Sequence, residues 1–187
     1  LTLMSNELER CGNIVSGLLS FSREIPLEYI SIDLNEVLDA VLTLIRHKME
    51  LQNIQLVRDS SPGTLLVEGD NNRLQQSLLN LLFNAIEAMP SGGQIHVESR
   101  ADEEKGDAVV TIRDTGSGIS PDHLDHIFDP FFTTKEEGEG TGLGLSIVYG
   151  VVNNHKGKIT VNSAEGEGTE FTLTFPLLKM ESPWTTK

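Results

Sequence analysis

The chain has 187 residues, enough for one compact domain with an appendage, and its 38% hydrophobic and 22% charged content is that of a soluble core former rather than a disordered tail. Its 28 acidic residues outweigh 14 basic ones, and the resulting net charge of −14 repels phosphate backbones and anionic lipid, which argues against nucleic-acid binding. A single cysteine, Cys11, excludes an internal disulfide, and apolar runs such as 40–45 or the asparagine-broken 77–88 fall short of the ~18–20 residues of a membrane span, so a reducing, cytoplasmic setting without membrane contact is expected for this segment.

In chain order, the first expected element is a long helix over residues 1–25. Leu1, Met4, Leu8, Cys11, Val15 and Leu18 recur every three or four positions, the pattern breaks at Ser22 and resumes at Ile25, and Ile14, Leu19 and Phe21 widen the stripe to bundle width. A seam at the very start of a chain that begins with Leu1 leads us to expect a fragment whose partner helix lies upstream or in a second chain; the alternative is a single amphipathic helix folded back on the domain. Pro26 ends this helix and residues 29–32 read as a strand. Asp33, three residues before Glu36, has capping-box spacing and opens a helix to about Leu51 with Leu34, Val37, Leu38, Val41, Leu42 and Ile45 inward. Short strands are expected at 54–58 and 64–68. Asp70 then caps a second helix with Leu74, Leu78, Leu81, Leu82 and Ala85 on its core side, stopped by Pro90-Ser91-Gly92-Gly93.

Alternating residues at 94–100 and 108–113 predict a hairpin around a charged turn. The stretch 114–144 reads as irregular apart from a short helix near 122–127, and loops this long in a compact domain are usually functional. A helix over 145–154 and strands over 158–162 and 169–175 complete an α+β sandwich, with Pro176 onward read as a frayed tail.

Four motifs carry chemistry. In Asn80-Leu81-Leu82-Phe83-Asn84 the asparagines lie four apart on one helix face that Glu87 continues, and an amide oxygen is a hard ligand suited to Mg²⁺. Asp114-Thr115-Gly116-Ser117-Gly118-Ile119 follows a strand, so its carboxylate could accept from an exocyclic amine such as adenine N6 while the glycines let backbone approach a flat ring. Phe128-Asp129-Pro130-Phe131-Phe132-Thr133-Thr134-Lys135 reads as an aromatic anchor for a loop, with Lys135 either reaching a phosphate or simply solvated. Gly138-Glu139-Gly140-Thr141-Gly142-Leu143-Gly144-Leu145 runs into a helix, and its exposed N–H groups together with the helix N-terminus suit phosphates; it is neither a Walker A loop nor a Rossmann fingerprint. Singly, the plainer readings are better: exposed amides, an Asp-Gly turn, core phenylalanines.

Together, in this order and spacing, the four resemble the N, G1, F and G2 boxes of the catalytic ATP-binding domain of bacterial two-component sensor histidine kinases. The wider superfamily includes DNA gyrase, heat-shock chaperone and mismatch-repair ATPases. The resemblance covers about residues 29–177, and Asn84-Ala85-Ile86-Glu87-Ala88-Met89-Pro90 with Phe131-Phe132-Thr133-Thr134-Lys135 is most similar to the nitrogen-regulation-type class. It implies a Bergerat-type fold: a two-layer sandwich of a mixed, mostly antiparallel sheet and about three helices over 29–178, preceded by the second helix of a dimerisation hairpin at 1–25 and followed by a tail at 179–187.

By the same likeness, Asn84 would coordinate Mg²⁺ and Asn80 would line the phosphate side. Asp114 would bind the adenine amine, with Gly116, Gly118 and Ile119 around the base and Thr169 supporting Asp114. Phe128 and Thr134 would border the nucleotide; Gly140, Thr141, Gly142, Leu143 and Gly144 would contact phosphates, and Lys135 would supply charge. Residues 133–140 would form the lid, its acidic run Glu136, Glu137 and Glu139 a solvated face. The implied cofactors are ATP and Mg²⁺. The implied partners are an acceptor helix of the same or a partner subunit, a response-regulator receiver domain and a second copy in the intact protein.

Two features depart from the family. Its acceptor histidine is followed directly by an acidic residue and then, a few places on, by proline, and none of the five histidines here, His47, His96, His123, His126 and His155, has that context. The acceptor is therefore expected upstream of residue 1, and these histidines are expected to be surface or structural. Many relatives also carry a basic residue where this chain has Glu87, which leaves the phosphate-neutralising cation to Lys135. Two other readings stay open: an ATPase of the same superfamily, which would need a glutamate base where Asn80 stands, and a non-catalytic nucleotide-sensing dimerisation module.

Overall fold

A computed structural model describes residues 29–135 and 140–178. The expected helix at 1–25, the acidic run of the lid and the tail at 179–187 lie outside the described residues.

Strands β1 (Ile30–Asp33), β2 (Ile54–Ser60), β3 (Leu66–Gly69), β4 (Gly93–Asp102), β5 (Asp107–Asp114), β6 (Lys158–Ala164) and β7 (Gly168–Pro176) combine with helices α1 (Leu34–Leu51), α2 (Asn71–Glu87), α3 (Pro121–Leu124) and α4 (Gly144–Asn154). The main sheet has the order β2-β4-β5-β7-β6, with β2 parallel to β4 and every other pair antiparallel. A separate ribbon pairs β1 with β3, running from Ile30 opposite Gly69 to Asp33 opposite Leu66. This is the expected α+β sandwich with a mixed, mostly antiparallel sheet, and among the described residues the helices number four, the fourth being the single turn α3.

Strand alternation sets the core face. Ile95 and Val97 of β4, Ala108, Val110 and Ile112 of β5, and Phe171, Leu173 and Phe175 of β7 are buried and join the apolar stripes of α1, α2 and α4 in one cluster. The two-residue period of β5 continues to its last residue, so Asp114 falls on the same inward face as Ile112. That register carries a carboxylate into the protein.

The helix starts follow from their caps. Asp33 Oδ1 accepts the Asn35 N–H at 3.0 Å and the Leu65 N–H at 3.0 Å; the helix bond therefore goes to Asn35 rather than to Glu36, as a capping box would have it. Asp70 caps α2 through the Arg73 N–H at 3.1 Å. Behind Asp70, its own N–H donates at 2.9 Å to Nε2 of His155, whose Nδ1 lies 2.7 Å from the Val151 carbonyl. These two bonds fix the neutral Nδ1–H tautomer, and burial holds the imidazole below its ordinary pKa. His155 is thus structural, tying the end of α4 to the start of α2.

Two expectations are corrected. The short helix ends at Leu124, three residues before the expected 127, because the chain continues as turns closed by the N–H of His126 on the His123 carbonyl and of Asp129 on the His126 carbonyl. The chain after Pro176 stays paired: the Leu177 N–H donates to the Gly106 carbonyl, the Leu178 N–H to the Leu66 carbonyl, and Leu177 bridges Val67. Residues 176–178 are not frayed, because the β4–β5 turn and the ribbon each supply an acceptor there.

Candidate functional site

The end of β5, the second half of α2, the segment 128–135 and the start of α4 bring the predicted site residues together. Asp114 is 4% exposed, and its Oδ1 accepts the N–H of Gly116 at 2.8 Å and of Thr169 at 3.3 Å. Oδ2 has no hydrogen-bond partner among the described residues. Burial pushes the carboxyl above its ordinary pKa, and the two N–H donors oppose that shift. Thr169 supports Asp114 through its backbone; its hydroxyl instead lies 3.0 Å from Ser163 Oγ.

Ser163 is a participant that sequence reasoning missed. Its Oγ accepts the Ile119 N–H at 2.9 Å and donates to the Gly168 carbonyl at 2.8 Å, which ties the loop after β5 to the β6–β7 hairpin. Its signal was faint: a serine at the end of a strand. Ala88 was also missed. Its carbonyl accepts the Ser117 N–H at 3.1 Å and its Cβ packs against Gly116. Gly118 has φ +70°, and a Cβ there would meet the Ala164 carbonyl oxygen at 2.0 Å, so the backbone itself excludes any other residue. Ile119 packs partly buried on the core.

On α2, Asn80 Nδ2 donates to the Gly144 carbonyl at 3.3 Å, which fastens this helix to the first residue of α4. The Asn84 amide makes no hydrogen bond among the described residues. Glu87, next on the same face, pairs with Lys135 Nζ, which joins α2 to the segment 48 residues downstream. Sequence alone showed Glu87 on the asparagine face but not this contact.

Segment 128–135 is anchored by two of its three phenylalanines. The Phe128 ring lies 5.3 Å from that of Tyr149, and Phe132 sits against His123 and His126 at 5.6 and 6.0 Å. Phe131 is a correction to the aromatic anchor: it is 61% exposed, with φ 70°, and its role is through the backbone. Its N–H donates to the Gly142 carbonyl at 2.9 Å, and a Cβ on Gly142, itself at φ +64°, would meet the Phe131 carbonyl carbon at 2.3 Å. Thr134 is exposed, and Gly140 lies against the side chains of Thr133 and Lys135.

The start of α4 differs from those of α1 and α2. Leu143, at its N-cap, offers no side-chain cap, whereas the other two helices carry aspartates there. The Leu143 N–H donates to Thr141 Oγ1 at 3.4 Å, while the N–H groups of Gly140, Gly142 and Gly144 have no acceptor among the described residues. Free N–H donors at an uncapped helix start are what an anion needs.

Residues 69–179, more than half of the chain, match the family described as histidine kinase-, DNA gyrase B-, and HSP90-like ATPases. The chain belongs to that family. Sensor histidine kinase ZraS of Salmonella typhimurium is 37% identical over 178 residues, which cover 94% of this chain and 37% of that protein. The nucleotide-free catalytic domain of histidine kinase ThkA has 35% identity and a TM-score of 0.72 over 80% of this chain and 96% of its own. Full-length ShkA in complex with AMPPNP superposes with a TM-score of 0.79 at 27% identity, over 91% of this chain and 36% of its own. The chain thus spans little more than a third of the curated relative's length, and what it matches is the ATP-binding catalytic domain of sensor histidine kinases.

Among the described residues of this histidine-kinase-type domain, no helix is long and apolar enough to cross a membrane, and no three His, Cys, Asp or Glu side chains gather where they could hold a metal. The donor set suits Mg²⁺ that arrives with a nucleotide: one uncommitted amide, Asn84, fits an ion that keeps several waters and takes few protein ligands besides phosphate oxygens.

Proposed function

We propose that this domain binds Mg·ATP and transfers its γ-phosphoryl group to a histidine on a dimerisation helix outside this chain, for onward transfer to a response-regulator aspartate. The observation that carries the reading is Asp114. Its Oδ1 is engaged by Gly116 and Thr169, and its Oδ2 is left as an acceptor for the amine of adenine. Around it, Gly118 and Ile119 would border the base. The N–H groups of Gly140, Gly142 and Gly144 and the start of α4 would take the phosphates, with Thr141 and Leu143 shaping that turn. Phe128 and Thr134 would flank them.

Mg²⁺ held by Asn84 would neutralise phosphate charge, a service that a protein of net charge −14 needs. With the acceptor supplied separately, this domain's contribution is positioning and charge compensation. Hydrolysis is disfavoured because Asn80, an amide bonded to the Gly144 carbonyl, cannot serve as a base.

The solved complex of histidine kinase ThkA with response regulator protein TrrA, 33% identical with a TM-score of 0.77, supports a receiver domain as partner. The seam at 1–25 supports a homodimer, which the mass on gel filtration would test.

The kinase test is transfer of label from γ-labelled ATP to a separately supplied acceptor-helix domain. Transfer that depends on Mg²⁺ is expected; nucleotide binding with no transfer would refute the kinase reading.

A further inference from the structure

Resting on that reading, we infer that Glu87 and Lys135 act as one unit at the phosphate end: the carboxylate parks the lysine beside Asn84, and the lysine cancels the carboxylate that would otherwise repel the nucleotide. Three observations carry this. First, Asn80, Asn84 and Glu87 occupy one face of α2 at spacings of four and three, so the acid stands one turn beyond the amide proposed for Mg²⁺. An unpaired carboxylate there would face incoming triphosphate in a protein already at −14.

Second, the Lys135 ammonium is bonded to that carboxylate, and the aliphatic part of its side chain lies against Gly140, at the edge of the glycine segment. The lysine side chain therefore runs past the glycine segment to the acid, and a swing of its flexible end could bring the ammonium to a phosphate oxygen held there. Third, the side chains are 38% and 44% exposed, so the pair is weakly held and the lysine can be shared with an anion at little cost.

Lys135 is thus the group proposed to touch phosphate, and Glu87 is a positioning residue acting through it. The contact joins residues 48 positions apart in sequence, on α2 and on segment 128–135.

The test compares the wild-type chain with K135A, K135A/E87Q and K135A/E87K by calorimetry, using Mg·AMP-PNP and adenosine. Thermal unfolding of each variant confirms folding. K135A is expected to weaken Mg·AMP-PNP about tenfold, the scale of one charge-assisted contact with an unpaired carboxylate left behind, and to leave adenosine unchanged. Adding E87Q should recover part of that loss by removing the stranded charge, and adding E87K should recover more by also placing an ammonium on the helix.

A residue with a merely structural role would not be rescued by either change, nor would it distinguish the two ligands. If K135A binds Mg·AMP-PNP like wild type, or if K135A/E87Q binds no more tightly than K135A, the inference is overturned while the nucleotide site stands. If the wild type binds neither ligand, the nucleotide reading itself falls, and this inference with it.

Discussion

Replacing Asp114 with asparagine exchanges one carboxylate oxygen for an NH2 group, and the surrounding backbone determines which one. The N–H groups of Gly116 and Thr169, at 2.8 and 3.3 Å, both point at Oδ1 and will claim the amide oxygen, so the NH2 must take the place of Oδ2. Adenine would then present a donor to a donor. Loss of a hydrogen bond to a charged acceptor amounts to about 1.5–3 kcal/mol, and the unpaired buried donor adds roughly 1–3 kcal/mol, so affinity for Mg·AMP-PNP should fall by about a hundredfold or more.

Stability should move the other way. Because burial raises the folded pKa of Asp114, its favourable contribution is complete below the unfolded value and is lost as pH rises through the folded one; at neutral pH the buried charge is a cost. D114N, which carries no charge, should therefore melt at or above the wild-type temperature at pH 7.5, with the difference shrinking toward pH 4. Calorimetric titration together with thermal unfolding over pH 4–8 measures both. Binding within tenfold of wild type would refute the placement of Oδ2 as the adenine acceptor, and a variant that melts well below wild type at pH 7.5 would refute the cost assigned to the buried charge.

Other predictions follow from the same geometry. Asn84→Ala should abolish the enhancement of nucleotide affinity by Mg²⁺ while leaving metal-free binding intact, as titration with and without the ion would show; an undiminished enhancement would remove Asn84 as the ligand. Gly118→Ala forces a side chain onto φ +70° and against the Ala164 carbonyl, and should cost roughly 2–4 kcal/mol in urea unfolding, whereas Gly144→Ala enters open space and should cost nothing measurable. For His155, whose folded pKa is depressed, stability is complete above about pH 6.5 and is lost as pH falls through the folded value. His155→Ala should accordingly be less stable by about 1–3 kcal/mol at pH 7.5 yet show a flatter decline to pH 5.5 in denaturant titrations.

Legibility in the sequence followed the range of the forces involved. The aspartates at 33 and 70 and the leucine spacing of α1 and α2 are local signals, and both helices start where those signals put them. The alternation of β4 and β5 is equally local, and it carried Asp114 to the inward face. What escaped was decided across the fold. Leu177 and Leu178 stay paired because Gly106, in the β4–β5 turn, and Leu66, in β3, offer carbonyls from distant parts of the chain, and nothing near Pro176 announces them. Ser163 and Ala88 entered the site through backbone partners that have no sequence signature. Phe131 looked like its aromatic neighbours, but its backbone pairing with Gly142 turned its ring outward.

That pairing of Phe131 with Gly142 closes a loop at its neck. The ten residues 132–141 leave and return through two chain positions joined by a hydrogen bond, so the entropy of bringing the ends together is met at the neck and not by whatever lies between. Loop-closure cost rises only as the logarithm of length, about 0.6 kcal/mol for a doubling. Insertions between Lys135 and Gly140 should therefore leave Asp114, Asn84 and the start of α4 in place. Length and charge between Lys135 and Gly140 are thus separable from the geometry on either side of the neck, so a change confined to residues 136–139 should leave the positions of Asp114, Asn84 and the start of α4 unaltered.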